Sequence, residues 1–575
     1  MKYLWLFLFP FCLYGSYRVE FEGVTDSKTL KEMKRASNLT SLHKREPPSI
    51  NALKYRADSD IPSLIKVLQA NGYYEGRVTI QFLDEMGETV VMIRVNPGPR
   101  YKLESFEIDI NCKCCPIDLE KIGIRLGKPV ETEPILDAEL KVLEKLSECG
   151  YPLAKIASRE MLVDAKTKTV SVILHINAST QVTFGPLTVT GQTEILEKFI
   201  ERKIAWKQGE TYNSALVEKT QDALIDTSLF SSVLITHAES PLENEQLPMR
   251  VEVVENKHKS VNIGVSYQTV FGPGLTFGWE NRDIARMGRT LSFQGDVTRI
   301  SQTGVATYLH PDFFKIDQNM ILQAQASHED IFAYSMRSYS LSDRVERILN
   351  RKLRGSIGIK GDRLLVTSSA QNGNYWLLAA PLYLRWSSSN SLLDPTRGGT
   401  IEYTTTPAFN SADLNNFYWI QEFTGSLYNR LDPQSRIVIA QKLTIGMTFS
   451  NGLSGIPLCN RFLGGTEEDL RGYRYKSVSP LEDGKPLGGR SAVYYSFEMR
   501  FRVLNALGLV PFFDLGNVQL REVPTADGKW YKSTGLGFRF FTFMAPFRID
   551  LAFPLNRREE IDPHYKIIAS IGQMF

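Results

Sequence analysis

Beyond its first fifteen residues, the sequence has no long hydrophobic run. A membrane-spanning helix needs about 18 or more consecutive apolar residues, and no segment after residue 15 supplies them. The sequence also lacks an excess of one charge, because 67 Lys and Arg against 64 Asp and Glu leave a net charge of +3 in 575 residues. This balance gives no indication of nucleic-acid binding.

Common catalytic motifs are missing as well. The sequence contains no G-x-S-x-G, no Walker A motif and no H-E-x-x-H. Its seven histidines are scattered, and the only cluster that suggests chemistry, His328-Glu329-Asp330, is expected to lie in a solvated turn. We therefore expect a protein that is not an enzyme and that uses no cofactor or metal.

Cysteine is scarce, with six residues in the chain. Cys112, Cys114 and Cys115 cluster in NCKCC, and Cys149 ends a helical stretch nearby. This spacing lacks the usual two-residue gap of zinc sites, and no histidine is close. In an oxidising compartment a disulfide between Cys149 and one of the cluster is expected, and unpaired thiols are the alternative.

The N-terminal segment MKYLWLFLFPFCLYG has one lysine followed by a short apolar run. This pattern predicts a secretory signal peptide over residues 1–15, with an uncleaved N-terminal anchor as the alternative. Export without a later membrane helix leads either to a soluble compartment or to a membrane β-barrel.

The first 256 residues contain three similar segments. Helical stretches end at Gly72-Tyr73, Gly150-Tyr151 and Leu229-Phe230, at almost equal spacing. A strand-like piece precedes each helical stretch and two follow it, so each unit has the order strand, helix, helix, strand, strand. Glycine after the helix suits a left-handed cap, and the aromatic that follows is expected in the core.

This repeat resembles the POTRA domain in element order, in length and in the Gly-Tyr landmark. The resemblance implies three POTRA domains, over residues 16–100, 101–179 and 180–256. It also implies exposed sheet edges that accept an extended client segment by strand addition.

From residue 257 onward, polar and apolar residues alternate. In SVNIGVSYQ, Val261, Ile263 and Val265 lie on one apolar face. In AVYYSFEMRFRV, the charged residues Glu498, Arg500 and Arg502 lie in series on the polar face. A soluble sandwich also alternates, but charges in series suit a wet lumen. At about twenty residues per strand and turn, residues 257–575 predict an all-β transmembrane barrel of about 16 antiparallel strands.

The last residues also alternate and predict a final strand that runs through Tyr565, Ile567, Ala569, Ile571 and Phe575. A closed barrel lets terminal strands avoid an exposed edge in lipid. The closing ASIGQMF resembles the C-terminal targeting signal of outer-membrane barrels, with an ordinary last strand as the alternative.

The segment RFLGGTEEDLRGYRY, residues 461–475, lies between two barrel strands. Downstream, VPFFDLGNV places Phe512 and Asp514 toward the lumen if Phe513 and Leu515 face lipid. Arginine and aspartate inside a barrel are held by pairing. We therefore expect Arg471 to pair with Asp514, and a solvated arginine in an extracellular loop is the alternative.

The Leu-Arg-Gly-Tyr step together with Phe-Phe-Asp resembles the BamA/TamA superfamily of outer-membrane assembly factors. In that superfamily a [VI]-R-G-[FY] loop folds back into the lumen, and its arginine meets the aspartate of an F-x-D strand motif. Leu470 departs from the usual valine or isoleucine. The resemblance assigns the loop motif to Arg471, Gly472, Tyr473, Phe512 and Asp514.

Three POTRA-like repeats are most similar to the TamA branch of this superfamily, because BamA has five and two-partner secretion transporters have two. That branch implies assembly and translocation of autotransporters and other β-barrel clients. It also implies a TamB-like partner that is anchored in the inner membrane and spans the periplasm. Unfolded outer-membrane proteins and outer-membrane lipid are the other expected partners, and the process needs no nucleotide.

The expected seam lies between the first barrel strand, about 260–270, and the last, 565–575. It includes Gly264, Val265, Ile571 and Phe575, and glycine weakens strand pairing there. A weak seam opens sideways and templates client strands. The alternatives are a protein-secreting pore of the two-partner type and a contribution to lipid transport, while a passive porin has no use for the repeats.

Overall fold

The computed structural model describes residues 17–575 except 44, 46, 86–87, 113–115, 369–370, 411–412, 543–545 and 572. The expected signal peptide, Cys114 and Cys115 therefore lie outside the described residues. The chain forms two compact units. The first runs to Gly191 and includes Ile204–Asp226 and Ser232–Val253, and the second comprises Gln192–Lys203, Thr227–Ser231 and Val254–Phe575.

Three α/β repeats precede the large sheet. The first contains β1 (Arg18–Glu22), α1 (Ser27–Ala36), α2 (Asn38–Ser41), α3 (Ile50–Ala70), β2 (Arg77–Glu85) and β3 (Glu88–Asn96). The second contains β4 (Lys102–Ile110), α4 (Thr132–Glu148), β5 (Lys155–Asp164) and β6 (Thr169–Asn177). The third contains β7 (Thr183–Thr190), α5 (Glu197–Lys203), α6 (Ser214–Ile225), β8 (Phe230–His237) and β9 (Gln246–Glu255).

Each repeat has a three-stranded sheet with the last strand in the middle: β1-β3-β2, β4-β6-β5 and β7-β9-β8. The first strand is parallel to the middle one. The apolar faces of the long helices are buried, for example at Leu64 and Leu146. The second repeat departs from the expected order, because turns replace a first helix before α4 in its described residues.

None of the described helices combines the length and the apolar character needed to cross a bilayer. The 21-residue α3 is the longest helix that precedes the large sheet, and it contains Pro62 and a buried Asp60.

The rest of the chain forms an antiparallel sheet of 17 strands and a small two-stranded sheet, β22 and β23. Their bounds are β10 (Lys259–Gln268), β11 (Gly272–Ile284), β12 (Arg289–Val297), β13 (Ser301–His310), β14 (Gln318–Asp330), β15 (Ser335–Asn350), β16 (Leu353–Thr367), β17 (Asn372–Ala379), β18 (Leu382–Ser387), β19 (Gly398–Asn410), β20 (Asp413–Arg430), β21 (Ile437–Ser450), β22 (Leu481–Glu482), β23 (Lys485–Pro486), β24 (Ser491–Arg502), β25 (Leu507–Gln519), β26 (Tyr531–Phe541), β27 (Pro546–Pro554) and β28 (Lys566–Ile571). A short 3₁₀ turn covers Leu458–Asn460.

Neighbouring strands of the large sheet follow one another along the chain, from β10 to β28. One position is split, because β17 and β18 both pair with β16 and with β19. The split falls at Ala380-Pro381, where proline has no N–H to donate to a ladder. Its carbonyl still accepts from Gly358 N at 3.0 Å, so the two segments remain in register with their neighbours.

The two faces of the large sheet reverse the pattern of a water-soluble protein. Val261, Ile263 and Val265 are 59–83% exposed. Glu498 and Asp514, in contrast, are fully buried on the concave face. Exposed apolar rows with charges inside suit a strand wall between hydrocarbon and a polar lumen.

The end of the chain differs from the prediction. Strand β28 ends at Ile571, and Tyr565 precedes it. Residues 573–575 leave the sheet, and Gln573 N donates to Leu393 O at 3.2 Å. The predicted strand through Phe575 is therefore wrong, because Gln573 and Phe575 contact distant parts of the barrel and do not continue the ladder.

Within the described residues Cys149 is not bonded to Cys112, and the other candidate partners, Cys114 and Cys115, lie outside those residues. Cys112 and Cys149 are both free thiols. Each is partly buried and packs against the apolar core of the second repeat, which gives these side chains a place without a cross-link.

Candidate functional site

The connection between β21 and β24, residues 451–490, packs along the concave face of the large sheet. Asn460 Nδ2 donates to Tyr418 Oη at 2.8 Å on β20. Lys476 Nζ lies 3.0 Å from Glu329 Oε1 on β14. Glu329 was expected in a solvated turn, and that expectation is wrong, since it ends a strand and pairs with this lumen loop.

Arg471 is the centre of this lumen loop and is fully buried. Its Nε and Nη2 donate to the two oxygens of Asp514 at 2.9 and 2.8 Å. Its Nη1 donates to Glu498 at 2.8 Å and to Asp550 at 3.1 Å. Its Cζ lies 3.5 Å from the ring centroid of Phe512. The planar guanidinium thus serves three carboxylates and an aromatic face together, which lysine cannot do.

Further arginines balance these carboxylates. Arg500 lies 2.9 Å from Glu498, and Arg539 lies 2.6 Å from Asp550. Arg548 Nε is 3.7 Å from Asp550 as well. The resulting cluster contains opposite charges in close contact, so the removal of any one member leaves the remaining buried charges with fewer partners.

Gly472 lets the loop lie directly on the barrel wall. A Cβ at this position would lie 2.6 Å from Pro554 N and 2.8 Å from the carbonyl carbon of Phe553. Both atoms belong to the main chain of β27 and have little freedom to move. Only glycine therefore allows this approach of loop and strand.

Tyr473 fixes the next position of the loop. Its hydroxyl donates to Lys532 O at 2.8 Å. It also accepts from Lys532 N at 3.2 Å and from Asn556 N at 3.3 Å. The ring is fully buried against Leu470 and Tyr531, so both its apolar and its polar parts are satisfied.

The acidic part of the loop has a local role. Asp469 accepts from Gly465 N at 2.8 Å, Thr466 N at 2.9 Å and Thr466 Oγ1 at 2.7 Å. This side chain closes the turn that precedes Arg471 and so sets the direction from which the arginine enters the cluster.

A second arginine anchors the far side of the loop. Arg558 makes two 2.7 Å hydrogen bonds with Asp562, and its Nη1 donates to Ser477 O at 2.6 Å. Such paired contacts define the orientation of both groups.

Of the five residues of the predicted loop motif, the structure brings Arg471, Phe512 and Asp514 into direct contact. Gly472 and Tyr473 lie against β27 and β26 instead. Asp550 and Arg539, however, were not predicted as members of the Arg471 cluster. The alternation in FRIDLAF places Arg548 and Asp550 on the polar face and is the signal that could have found Asp550. The contact between Asp550 and Arg471 could not be predicted, because the two residues are far apart along the chain.

The predicted seam strands, β10 and β28, lie close to each other. Gly264 and Val265 are in β10, which pairs with β11, and Ile571 is in β28, which pairs with β27. In the described part of the chain, no strand pairing joins β10 to β28. Phe575 is not at this edge, since its oxygen accepts from Arg500 Nη2 at 2.9 Å on β24.

An apolar-outside, charged-inside β-barrel that follows α/β repeats defines an integral outer-membrane barrel protein. Comparison with known families agrees. The Omp85 superfamily domain matches residues 259–575, and the POTRA family, a surface antigen variable number repeat, matches residues 182–256. The chain belongs to the Omp85 superfamily. The predicted location in the outer membrane, with POTRA structure in the periplasm, is confirmed by this family match and by the relatives described next.

Among curated proteins, the chain is similar to the outer membrane protein assembly factor BamA of Nitratidesulfovibrio vulgaris, with 24% identity over 88% of this chain and 66% of that protein. It is also similar to BamA of Neisseria meningitidis, with 19% identity over 89% of this chain and 68% of the relative. The chain thus spans about two thirds of the length of these relatives.

Among solved structures, BamA from Haemophilus ducreyi lacking POTRA domains 1-3 superposes with a TM-score of 0.67 at 17% identity. The match covers 82% of this chain and all of that one. At this identity the likeness defines the fold.

Proposed function

We propose that this protein assembles outer-membrane proteins and that client strands enter at the edge between β10 and β28. The observation that carries the proposal is the sheet order, in which these two strands have described pairings on one side only. An unpaired strand edge presents main-chain N–H and C=O groups that template another strand.

The length of β28 supports an edge that opens. This strand has six residues and pairs with β27 only from Phe547 to Ala552. Beyond it, Arg500 and Tyr428 hold Phe575 on the concave face. Because Phe575 is held there and does not continue the strand, β28 offers only a short ladder to β10.

The repeats supply docking surfaces for extended clients. We infer three POTRA domains and sixteen strand positions, the latter because β17 and β18 share one place in the sheet order. Strand β5 is a sheet edge on which Leu162 and Val163 are exposed. An extended apolar segment adds to such an edge through main-chain hydrogen bonds.

Three repeats favour the TamA branch of the superfamily over a BamA with five. In this proposal the clients are autotransporters and other β-barrel proteins. A TamB-like protein anchored in the inner membrane is the periplasmic partner, and outer-membrane lipid contacts the open edge. The process is non-covalent, and the protein is not an enzyme.

A seam-locking experiment tests the proposal. In a background without native cysteines, one cysteine at Val265 is combined in turn with cysteines at Ile567, Ala569 and Ile571. Oxidation in cells is followed by assembly of a model autotransporter. We expect assembly to stop in every variant that forms the cross-link, and to resume after reduction.

A cross-link inside an existing pair is the matched control. Ile263 and Phe277 are directly opposed in β10 and β11, so a bridge between them leaves the edge free. Assembly that continues with a complete β10–β28 cross-link would contradict lateral opening. Such a result would favour a two-partner-type secretion pore or lipid transport instead.

A further inference from the structure

Three potential metal ligands meet in the second compact unit, outside the Arg471 cluster. Glu194, His258 and Asp283 each place one ligand atom within 4.8 Å of the others. They come from three separate segments. Glu194 precedes α5, His258 precedes β10, and Asp283 lies in β11 where the register with β12 shifts. Bulges of this kind redirect a side chain from the regular pleat.

His258 is the buried member of the group. It is 9% exposed, and its Nδ1 has no hydrogen-bond partner among the described residues. Its Nε2 lies 3.4 Å from Glu255 Oε2. A neutral imidazole has one N–H and one bare nitrogen. With the proton on Nε2 toward Glu255, the buried Nδ1 has a lone pair that needs a ligand.

Glu255 is held as an acceptor for this ring. It accepts from the main-chain N–H of Thr193, Glu194 and Ile195 at 2.7, 3.0 and 2.9 Å. Burial by itself raises the pKa of Glu255, but these hydrogen bonds outweigh it and lower the pKa to about 2. A carboxylate that receives the N–H of a ligating histidine is the usual support of a metal-bound ring.

The two carboxylates of the group are not neutralised by nearby cations. Asp283 accepts from Gly288 N at 2.9 Å with Oδ1. The guanidinium of Arg286 donates to the main-chain oxygens of Thr193 and Glu194. Within the described residues, no ion pair involves the side chain of Glu194 or of Asp283. Two carboxylates without an ion-pair partner and a ring nitrogen of a buried histidine therefore lie within 4.8 Å of one another.

We propose that Glu194, His258 and Asp283 bind a divalent transition-metal ion, Zn²⁺ first among them, and that Glu255 orients His258. One imidazole nitrogen and two carboxylate oxygens match the ligand preference of Zn²⁺, and water completes the coordination on the exposed side of Glu194. The ion ties residues 192–196 to β10 and β11. This site is independent of the proposed assembly function.

The test uses the full chain in detergent, stripped with chelator and then titrated with ZnCl₂ by calorimetry, with bound metal counted by mass spectrometry. We expect one tight equivalent in the unaltered protein. His258→Asn and Asp283→Asn are expected to weaken that equivalent at least 100-fold. Glu255→Gln is expected to weaken it about 10- to 100-fold.

His175→Asn is the matched control. Its ring nitrogens lie 2.8 Å from Asp109 and 3.6 Å from Glu160, so both already face carboxylates. We expect zinc binding to be unchanged in this variant. Heat-modifiable migration in electrophoresis shows that each variant retains a folded barrel, and Asp283→Asn keeps the acceptor oxygen for Gly288 N.

Co²⁺ distinguishes this site from the cysteines. The expected spectrum has visible d–d bands without a thiolate charge-transfer band. Equal zinc binding by the unaltered protein and the folded His258→Asn and Asp283→Asn variants would overturn the proposal. A charge-transfer band from thiolate ligands would overturn it as well, because the metal would then lie at cysteine.

Discussion

At the scale of single residues, Arg471 shows why a charged side chain is stable inside this barrel. Its guanidinium has lost all contact with water, and three carboxylates and an aromatic ring replace that hydration. The arrangement depends on every partner being present. Energetically it is therefore a device for fixing a position rather than a general source of stability.

Arg471→Lys is expected to destabilise the lumen loop, because lysine keeps the charge and loses the planar fork that serves three carboxylates. Asp514→Asn is expected to act similarly. Breaking a well-buried pair costs about 3–5 kcal/mol. The measurement is the urea midpoint of barrel unfolding in detergent micelles, followed by electrophoretic migration.

Arg521→Lys is the control for this prediction. Its partner is Asp527, and both side chains are 68% exposed. Exposed pairs contribute little, so this variant should unfold like the unaltered protein. Equal midpoints for Arg471→Lys and Arg521→Lys would show that burial of the Arg471 cluster has no energetic consequence.

Gly472→Ala should displace the loop from β27 without any change of charge. The added methyl group meets main-chain atoms at 2.6 and 2.8 Å, which cannot rotate away. We expect faster protease cleavage within residues 461–490 and weaker client assembly. Gly304→Ala, where a Cβ meets nothing within 4 Å, should change neither property.

Residue pairing was predictable only where a motif carried it. Arg471 and Asp514 could be matched because both sit in recognisable segments and alternation oriented Asp514. Arg539 and Asp550 lie in strands whose sequence gives their face but not their partner. The face on which a side chain lies can be predicted from its own strand, whereas a contact can be predicted only when the relative positions of two strands are known.

At the scale of elements, the end of the chain is held by side chains from other strands. Arg500 contacts Glu498 of the Arg471 cluster and the oxygen of Phe575. Gln573 in turn contacts Arg539 at 2.8 Å. The lumen loop and the inward turn after β28 thus share members of one polar network.

Arg500→Gln should release this turn. The loss of the contact with Phe575 lets residues 573–575 move, and we expect faster hydrogen exchange in β28. Arg502→Gln, on the same strand but partly exposed and 3.6 Å from Asp394, is the comparison. If both variants exchange at the same rate as the unaltered protein, Arg500 does not hold the turn.

The segment that carries Glu255 should weaken in acid. The pKa of the Glu255 carboxyl is lowered in the folded protein to about 2 from an ordinary 4.5, because main-chain N–H groups donate to it. The stabilisation is therefore complete above pH 4.5 and is lost as the pH falls toward 2. Hydrogen exchange of residues 193–195, measured without metal between pH 6 and 3, should show increased opening at low pH once corrected for the intrinsic rate.

Glu255→Gln supplies the reference for that titration. Glutamine cannot ionise, so the variant should open more readily at neutral pH, and its opening should change little on acidification. A pH response equal to that of the unaltered protein would assign the effect to another group.

At the scale of the whole molecule, the sequence already predicts most of the architecture. Spacing of the Gly-Tyr landmarks predicts the repeats, and the two-residue period predicts the barrel wall. Both patterns are local and recur many times. The contacts of Gln573 and Phe575 away from β28 were not predicted, because their partners Leu393 and Arg500 are remote in sequence.

The repeats should accept extended apolar peptides at their edges. A photo-reactive residue at Leu162 on the β5 edge is expected to cross-link an unfolded barrel client in cells. Val142 of the second repeat is buried in its core and provides the matched position that should give no adduct. Equal yields at both positions would indicate unfolding rather than strand addition.

The Arg471 contacts also have a geometric consequence. Glu498, Asp514 and Asp550 belong to β24, β25 and β27, so one guanidinium spans four neighbouring strands. That arc of the wall has a fixed curvature while the contacts persist. Any widening of the barrel must then be taken up elsewhere in the wall, for example at β12 and β13, where no atom lies within 4 Å of a Cβ built on Gly295 or Gly304.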